Sequence, residues 1–390
     1  GGGGGGGLRH LSGTGGANFL VGKQEPERGA ELDAGVYSDT IPAMNSESAS
    51  PCPQPLRWGI VATGRIAGIF AGDLASARES VLQAVGSRTL ASAERFASEQ
   101  GITREHTHGS YAALFADEKV DAVYVATPHP EHKRMVLAAL AAGKHVLCEK
   151  PMGMTLAEVE EMQAAALAAK RTLMEAWMYR CHPQTARLVE LVRAGEIGEL
   201  RHVQGVFSFS KEFDPSHRLW NKSLGGGGIL DVGGYPLSYA RLLAGVARGQ
   251  AFAEPEELHA VGRVHAVAGV DEYTSAILRF AGDITAEVSC GVGLRQQNYL
   301  RIYGTAGWIE VRLPYVITRE TEATIIEVHR AGQEQVERIT ILADRGLYAY
   351  EADSFAAAVK RGQLEVEACT WADSRGNMAA LTQWRQRLGL

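Results

Sequence analysis

Leu56-Arg57-Trp58-Gly59-Ile60-Val61-Ala62 is an almost unbroken apolar run, the pattern of a strand buried on both faces of a parallel sheet. Thr63-Gly64-Arg65 follows as a tight turn, and Ile66, Ile69, Phe70 and Leu74 then recur at helical spacing, so a helix begins near Arg65. The alternation continues. Val81 to Gly86 predicts a strand, Ser110 caps a short helix from Tyr111 to Phe115, and Val120 to Ala126 is again strand-like. Met135 to Ala142 predicts a helix ended by Gly143, followed by a strand from His145 to Glu149. Thr155-x-x-Glu158 is a capping box opening a helix that runs to about Lys170, and Leu173 to Ala176 is a further strand. Strands alternating with helices imply a doubly wound parallel sheet with helices on both faces, a Rossmann arrangement.

The pattern changes after a helix expected from Pro183 to Ala194. Val203, Gly205, Phe207 and Phe209 alternate with more polar positions, and further alternating runs begin near Leu258, Tyr273, Ile284, Asn298, Trp308, Ala323 and Gln335. Gly282-Asp283 and Gly304-Thr305-Ala306-Gly307 are hairpin signals. This half is expected to be α+β, with a large, mostly antiparallel sheet. Two closing helices are expected around Ser354–Lys360 and Arg375–Arg387. The expected organisation is a leader at 1–54, a dinucleotide-binding domain at 55–178, and a substrate-binding and dimerisation domain at 179–390.

Composition narrows the function classes. The 390 residues carry 45% hydrophobic and 22% charged side chains, ordinary for a globular protein with substantial cores. A net charge of −6 with no basic stripe argues against a nucleic-acid partner. No apolar run approaches the ~18 residues of a membrane span. The 5 cysteines are scattered, without Cys-x-x-Cys, as expected for free thiols in a reducing cytoplasmic compartment. The leader opens on seven glycines and shows little periodicity, and it is expected to be disordered or non-native. His106, His108, His129 and His132 lack a third ligand at a recognisable spacing, so no metal site is expected.

A strand, a glycine turn and a helix N-terminus aim backbone N–H groups and a positive dipole end at an anion. The turn reads Ala62-x-Gly64-x-x-Ala67, with alanine where the dinucleotide fingerprint has its first glycine. An acidic residue about twenty positions on would bind the ribose 2′-hydroxyl of NAD. Ser87 and Arg88 stand there instead, a hydroxyl and a guanidinium suited to the 2′-phosphate of NADP. Gly64, Ser87, Thr127, Pro128 and Lys150 all fall at carboxyl ends of expected strands, where ligands bind in such sheets. His129 and His132 follow in the same loop, and His132 is expected to line the cofactor cleft.

Lys150, in Glu149-Lys150-Pro151, ends a buried strand, where an ammonium group needs a charge or a substrate. The run Gly225 to Gly228 precedes a helix carrying Asp231 and Tyr235 at i and i+4, hence on one face. Lysine, aspartate and tyrosine together can move a proton from an alcohol.

These residues resemble the Gfo/Idh/MocA oxidoreductase family from about Leu56 to the C-terminus. The marks are Ala-Thr-Gly-Arg-Ile-Ala at 62–67, Ala-Thr-Pro-His-Pro-Glu-His at 126–132, Glu-Lys-Pro at 149–151, the glycine run leading to Asp231 and Tyr235, and the segment from Glu175 to Pro183. The resemblance implies NADP, with NAD possible, held by Ala62, Gly64, Arg65, Ile66, Ser87, Arg88, Thr127, Pro128, His129, His132, Glu149, Lys150, Trp177 and Arg180. It also implies a small sugar or polyol substrate, catalysis by Lys150, Asp231 and Tyr235, and a homodimer or homotetramer built on the C-terminal sheet. The expected reaction oxidises a CH–OH group, as in a D-xylose-like aldose 1-dehydrogenase that yields a lactone. Tyr235 assisted by Lys150, or Lys150 itself, would be the base. Trp177, Arg180 and His182 are expected to line the pocket. Other activities open to the family are dihydrodiol oxidation, ketose or anhydrofructose reduction, NAD-dependent glycoside hydrolysis and non-catalytic cofactor sensing.

Overall fold

The structure is a computed structural model and describes residues 54–390 apart from Glu320. The expected leader therefore lies outside the described residues, except for Gln54. The first apolar run forms β1 (Leu56–Val61), followed by α1 (Arg65–Asp73), β2 (Ser80–Gly86), α2 (Leu90–Gln100), β3 (Thr107–His108) and α3 (Tyr111–Ala116). Next come β4 (Ala122–Val125), α4 (His132–Ala141), β5 (His145–Glu149), α5 (Leu156–Ala169) and β6 (Leu173–Ala176). The six strands are parallel in the order β3-β2-β1-β4-β5-β6. The order reverses between β1 and β4, and that switch point is where a doubly wound sheet leaves its ligand crevice.

Helix α2 and strand β3 are additions to the expected elements. The α2 helix is alanine-rich and amphipathic; Thr89 caps it and Gly101 (φ +73°) ends it. The two residues of β3 are too few to show periodicity. The capping box before α5 forms with its reciprocal bond displaced by one residue: Thr155 accepts from the Glu158 N–H, while the Glu158 carboxylate takes the N–H of Met154, just before the cap.

Beyond α6 (Pro183–Arg193) lie β7 (Leu200–Ser208), α7 (Gly234–Val246), β8 (Glu257–Val264), β9 (Asp271–Phe280), β10 (Ile284–Gly291), β11 (Tyr299–Gly304), β12 (Gly307–Val311), β13 (Ala323–Arg330) and β14 (Glu337–Leu342). They form an eight-stranded sheet in the order β14-β13-β12-β11-β7-β10-β9-β8. Every neighbouring pair is antiparallel except β7 with β10. Strand β9 alternates as expected: Ala276, Leu278 and Phe280 are buried, while Ile277 and Arg279 are exposed. Helix α7 lies on the inner face of this sheet and is buried along its whole length.

Two helices close the chain, α8 (Leu347–Lys360) and α9 (Trp371–Arg387), both starting earlier than expected. Helix α8 returns to the parallel sheet, where Phe355 packs against Trp58 with ring centroids 5.1 Å apart. In α9, Trp384 is fully buried and donates to the Thr274 hydroxyl of β9 at 3.1 Å. One continuous hydrophobic core thus contains Trp58 of the first sheet and Phe70 of α1 together with Phe280, Ile302 and Val328 of the second sheet.

Candidate active site

Val61 ends β1, and Ala62 turns the chain with φ +84°. This left-handed conformation favours glycine, so alanine at the first fingerprint position carries strain of roughly 1–2 kcal/mol. Gly64 caps α1 without any side-chain hydrogen bond, and a Cβ built there would meet nothing within 4 Å. The first N–H groups of α1, those of Arg65 and Ile66 included, are therefore without a side-chain cap, beside a turn with room in front of it. Ser87 is buried at the end of β2, and Arg88 beside it is exposed. Neither Arg65 nor Arg88 has an ion pair among the described residues.

The loop after β4 also keeps polar atoms unused. Thr127 Oγ1 and His129 Nδ1 are buried without a hydrogen-bond partner among the described residues, and Pro128 between them is exposed. Burial, with His132 and Lys150 nearby, drives the His129 pKa down to about 3, so its imidazole is neutral at ordinary pH. An uncapped helix N-terminus, open space at Gly64 and orphaned polar atoms at the ends of neighbouring strands form a donor set that fits a dinucleotide phosphate and its nicotinamide.

Lys150 stands at the end of β5. Its Nζ donates to the backbone carbonyl of Asp231 at 2.8 Å and lies 5.1 Å from the centroid of the Tyr235 ring. The segment Ile229–Gly233 is a π-turn rather than the expected α-helix. Pro236 has no N–H with which to continue the helical ladder backwards, so the register slips at this point. The carbonyl of Asp231 would look to residue 236 in π geometry, and the lysine ammonium takes that place. Burial raises the Asp231 carboxyl pKa, but Lys150 and Arg218 outweigh it and hold the group below the usual carboxylate range. Arg218 donates to Asp231 Oδ1 at 2.8 Å. The sequence reading missed Arg218; its place seven residues before the glycine run was the only signal.

Tyr235 is buried in an aromatic wall. Trp177 and Phe207 each approach it edge-on with centroids at 5.0 Å, and Tyr179 lies at 5.5 Å. Among the described residues its hydroxyl meets only Met178 Sδ, at 3.7 Å. Burial, then the charges of Tyr348, Glu149 and Asp231, lift the phenol well above its ordinary range.

Several residues expected to hold the cofactor or line the pocket have their side chains engaged within the protein. His132 is fully buried, its ring nitrogens 2.9 Å from the carbonyl oxygens of Thr127 and Pro151. It staples the loop after β4 to the loop after β5 rather than lining the cleft. Glu149 lies buried beneath the site, accepting from the Tyr124 hydroxyl and, at 3.2 Å, from the Lys150 N–H. Arg180 is turned inward, donating to Ser238 Oγ at 2.8 Å and pairing with Asp373 at 2.9 Å. His182 is fully buried at the start of α6, where its Nδ1 accepts from the Gln184 N–H at 3.1 Å. Trp177 is buried against Tyr235 and Gly234. In each case the sequence pattern marked the right neighbourhood, and packing decided which way the side chain points.

The histidine pair His106 and His108 does find a third group. His106 Nδ1 and His108 Nε2 lie 2.7 and 3.0 Å from Asp117 Oδ2. Asp117 is nine residues or more away along the chain, so spacing could not reveal it. The three form a complete hydrogen-bonded set in which one carboxylate oxygen faces both imidazoles.

Residues 56–176 match a family model described as an oxidoreductase family with an NAD-binding Rossmann fold, and residues 185–310 match the GFO/IDH/MocA C-terminal domain. The chain is similar to trans-1,2-dihydrobenzene-1,2-diol dehydrogenase of Mus musculus, 39% identical over 66% of this chain and 74% of that protein. Its structure resembles aldose-aldose oxidoreductase from Caulobacter crescentus complexed with glycerol, with TM-score 0.76 and 25% identity over 86% of this chain and 99% of that one. It also resembles KijD10, a 3-ketoreductase from Actinomadura kijaniata in complex with NADP and TDP-benzene. Here the TM-score is 0.73, with 27% identity over 85% of this chain and 98% of that one.

Proposed function

Because the chain belongs to the Gfo/Idh/MocA oxidoreductase family, we propose that it is an NADP-dependent dehydrogenase acting on a CH–OH group of a sugar or related diol. The aldose 1-dehydrogenase reaction, giving a lactone, is the form of this reading we retain. One observation carries it: Lys150 at the end of β5 meets both Asp231 and Tyr235, on the same carboxyl edge of the parallel sheet from which the uncapped α1 starts. NADP, held by the turn at Gly64 and by Ser87 and Arg88, supplies the hydride acceptor.

The chain's own groups handle the proton. Between the two candidate bases, the geometry favours Lys150. Among the described residues no cation is hydrogen-bonded to the Tyr235 hydroxyl, and burial keeps the phenol protonated. Tyr235 then donates a hydrogen bond to the reacting oxygen, and the proton leaving that oxygen passes to Lys150 Nζ once its ammonium group has released a proton to solvent and stands as the neutral amine. Arg218 occupies Oδ1 of Asp231, which leaves Oδ2 for a second substrate hydroxyl. Oxidation of a trans-dihydrodiol is the second reading, favoured by the aromatic wall of Trp177, Phe207 and Tyr235 and by the mouse relative.

The test follows reduced-nicotinamide fluorescence with NADP or NAD against D-xylose, D-glucose and a trans-dihydrodiol. A signal with NADP and one of these alcohols supports the reading. Lys150→Ala should then lower kcat by roughly 10²–10⁴-fold while NADP still binds. Silence across the panel with NADP bound would sink it in favour of a reductase or a hydrolase that recycles its cofactor.

A homo-oligomer is part of the same proposal. The outer face of the eight-stranded sheet exposes Val261, Ile277, Ile325 and Leu342, side chains suited to burial against a second copy. Sedimentation of the full chain as a monomer at micromolar concentration would remove this part. No helix among the described residues is long and apolar enough to cross a membrane.

A further inference from the structure

The glycine run before the π-turn is packed solid. A Cβ at Gly226 would lie 2.5 Å from the carbonyl oxygen of Leu219 and 2.8 Å from that of Arg218. At Gly227, whose φ is +100°, it would lie 2.2 Å from Oδ1 of Asp271, and at Gly228 3.1 Å from Oδ2. Three glycines are there because something already fills their side-chain space, and at two of them the occupant is one carboxylate.

That carboxylate comes from the first residue of β9. Asp271 is 1% exposed, and its Oδ2 accepts the N–H of Ile229 at 2.7 Å. The N–H of Gly228 also points to it. These are the first donors of the π-turn, groups that would otherwise be buried without a partner. Two residues further along the turn, the carbonyl of Asp231 is fixed by Lys150 and its side chain by Arg218.

We propose that Asp271 is a positioning residue for the reaction: it anchors the start of the π-turn to the eight-stranded sheet and so sets where Asp231 stands relative to Lys150. The proposal rests on the dehydrogenase reading for its kinetic consequence but not for its structural one. A shift of the turn by about 1 Å would misalign the proton-transfer groups at a cost of up to ~100-fold in rate. The groups facing Asp271 agree with a held, desolvated carboxyl. Arg385 of α9 is the charge that favours its ionised form, and the Cys290 thiol of β10 feels both Asp271 and Asp231. Burial outweighs Arg385 and the N–H donors and pushes Asp271 up to about 7.

The experiment compares Asp271→Ala and Asp271→Asn with the wild type, each in the full chain with NADP bound. Alanine removes the acceptor, whereas the asparagine carbonyl can still receive the Ile229 N–H. Asp271→Ala should lose about 10–100-fold in kcat with the KM for NADP within about twofold, and Asp271→Asn should recover most of the loss. By hydrogen exchange, peptides covering 228–235 should exchange faster in Asp271→Ala and return towards wild-type rates in Asp271→Asn, the rest of the chain being unchanged. Wild-type exchange in that segment for Asp271→Ala, or uniformly faster exchange throughout the chain, overturns the proposal. If the wild type oxidises no alcohol, the dehydrogenase reading fails and the exchange pattern alone decides this one. Should the alanine variant not fold, Asp271→Ser replaces it, since its hydroxyl is too short to reach Ile229.

Discussion

The two glycine-bearing turns of this chain use the same residue for opposite ends. At Gly64 the missing side chain leaves open space in front of an uncapped helix, and that space suits a phosphate. At Gly226, Gly227 and Gly228 the missing side chains are replaced by carbonyl oxygens of the preceding loop and by the Asp271 carboxylate. The first turn leaves room for a ligand. The second is filled, and on the proposal above that filling holds Asp231 in place. A glycine therefore carries functional meaning only together with what occupies the space it gives up.

The largest test of that contrast is a methyl group added to each turn. Gly227→Ala must push the Asp271 carboxylate away and hold alanine at φ +100°, and should cost about 4 kcal/mol or more in denaturant unfolding. Gly64→Ala has free space and an allowed φ of −77°, and should change stability by less than about 0.5 kcal/mol. Similar losses at both sites would erase the distinction.

Next in size is a pH effect confined to the filled turn. The folded-state pKa of Asp271 is raised to about 7, above the ~3.9 of an unfolded aspartate, so the folded protein binds this proton more tightly. Its stabilising contribution is complete below about pH 4 and is lost as pH rises through about 7. Relative to Asp271→Asn, the wild type should lose on the order of 2–4 kcal/mol across that range, read from urea midpoints at several pH values. A pH-independent difference would mean that the carboxyl does not titrate there.

At the open turn the expected effect falls on binding rather than on folding. Arg88 is exposed without an ion pair among the described residues, so Arg88→Ala should weaken NADP by roughly 10–100-fold, leave NAD unchanged and keep the melting temperature. Fluorescence titration with both cofactors checks it, and an unchanged NADP/NAD preference would move the 2′-phosphate elsewhere. A small gain in stability is expected of Ala62→Gly. Relief of the +84° φ is partly offset by the extra freedom glycine brings to the unfolded chain, leaving a gain of less than about 1 kcal/mol in thermal unfolding.

The sequence by itself determined the two sheets and the strand ends on which the site is built, because backbone periodicity is a local property. Apolar runs such as Val146-Leu147-Cys148 must lie inside a parallel sheet, and the residue that follows such a run comes out at its ligand edge. The positions of Gly64 and Lys150 were legible for that reason, as was the amphipathic alternation of β9, whereas Asp231 and Tyr235 were marked by the glycine run before them and their helical spacing. Only the tertiary structure decided which side chains face the site. His132, Arg180 and His182 sit in the right segments, yet each is consumed by a partner near or far along the chain: backbone carbonyls, Asp373 or the start of its own helix. Arg218, Asp117 and Asp271 meet their partners across distances that no spacing encodes. Local patterns fix where the backbone goes, but a buried polar group is oriented by whichever donor or acceptor the fold brings to it, since leaving it unpaired costs more than any local preference.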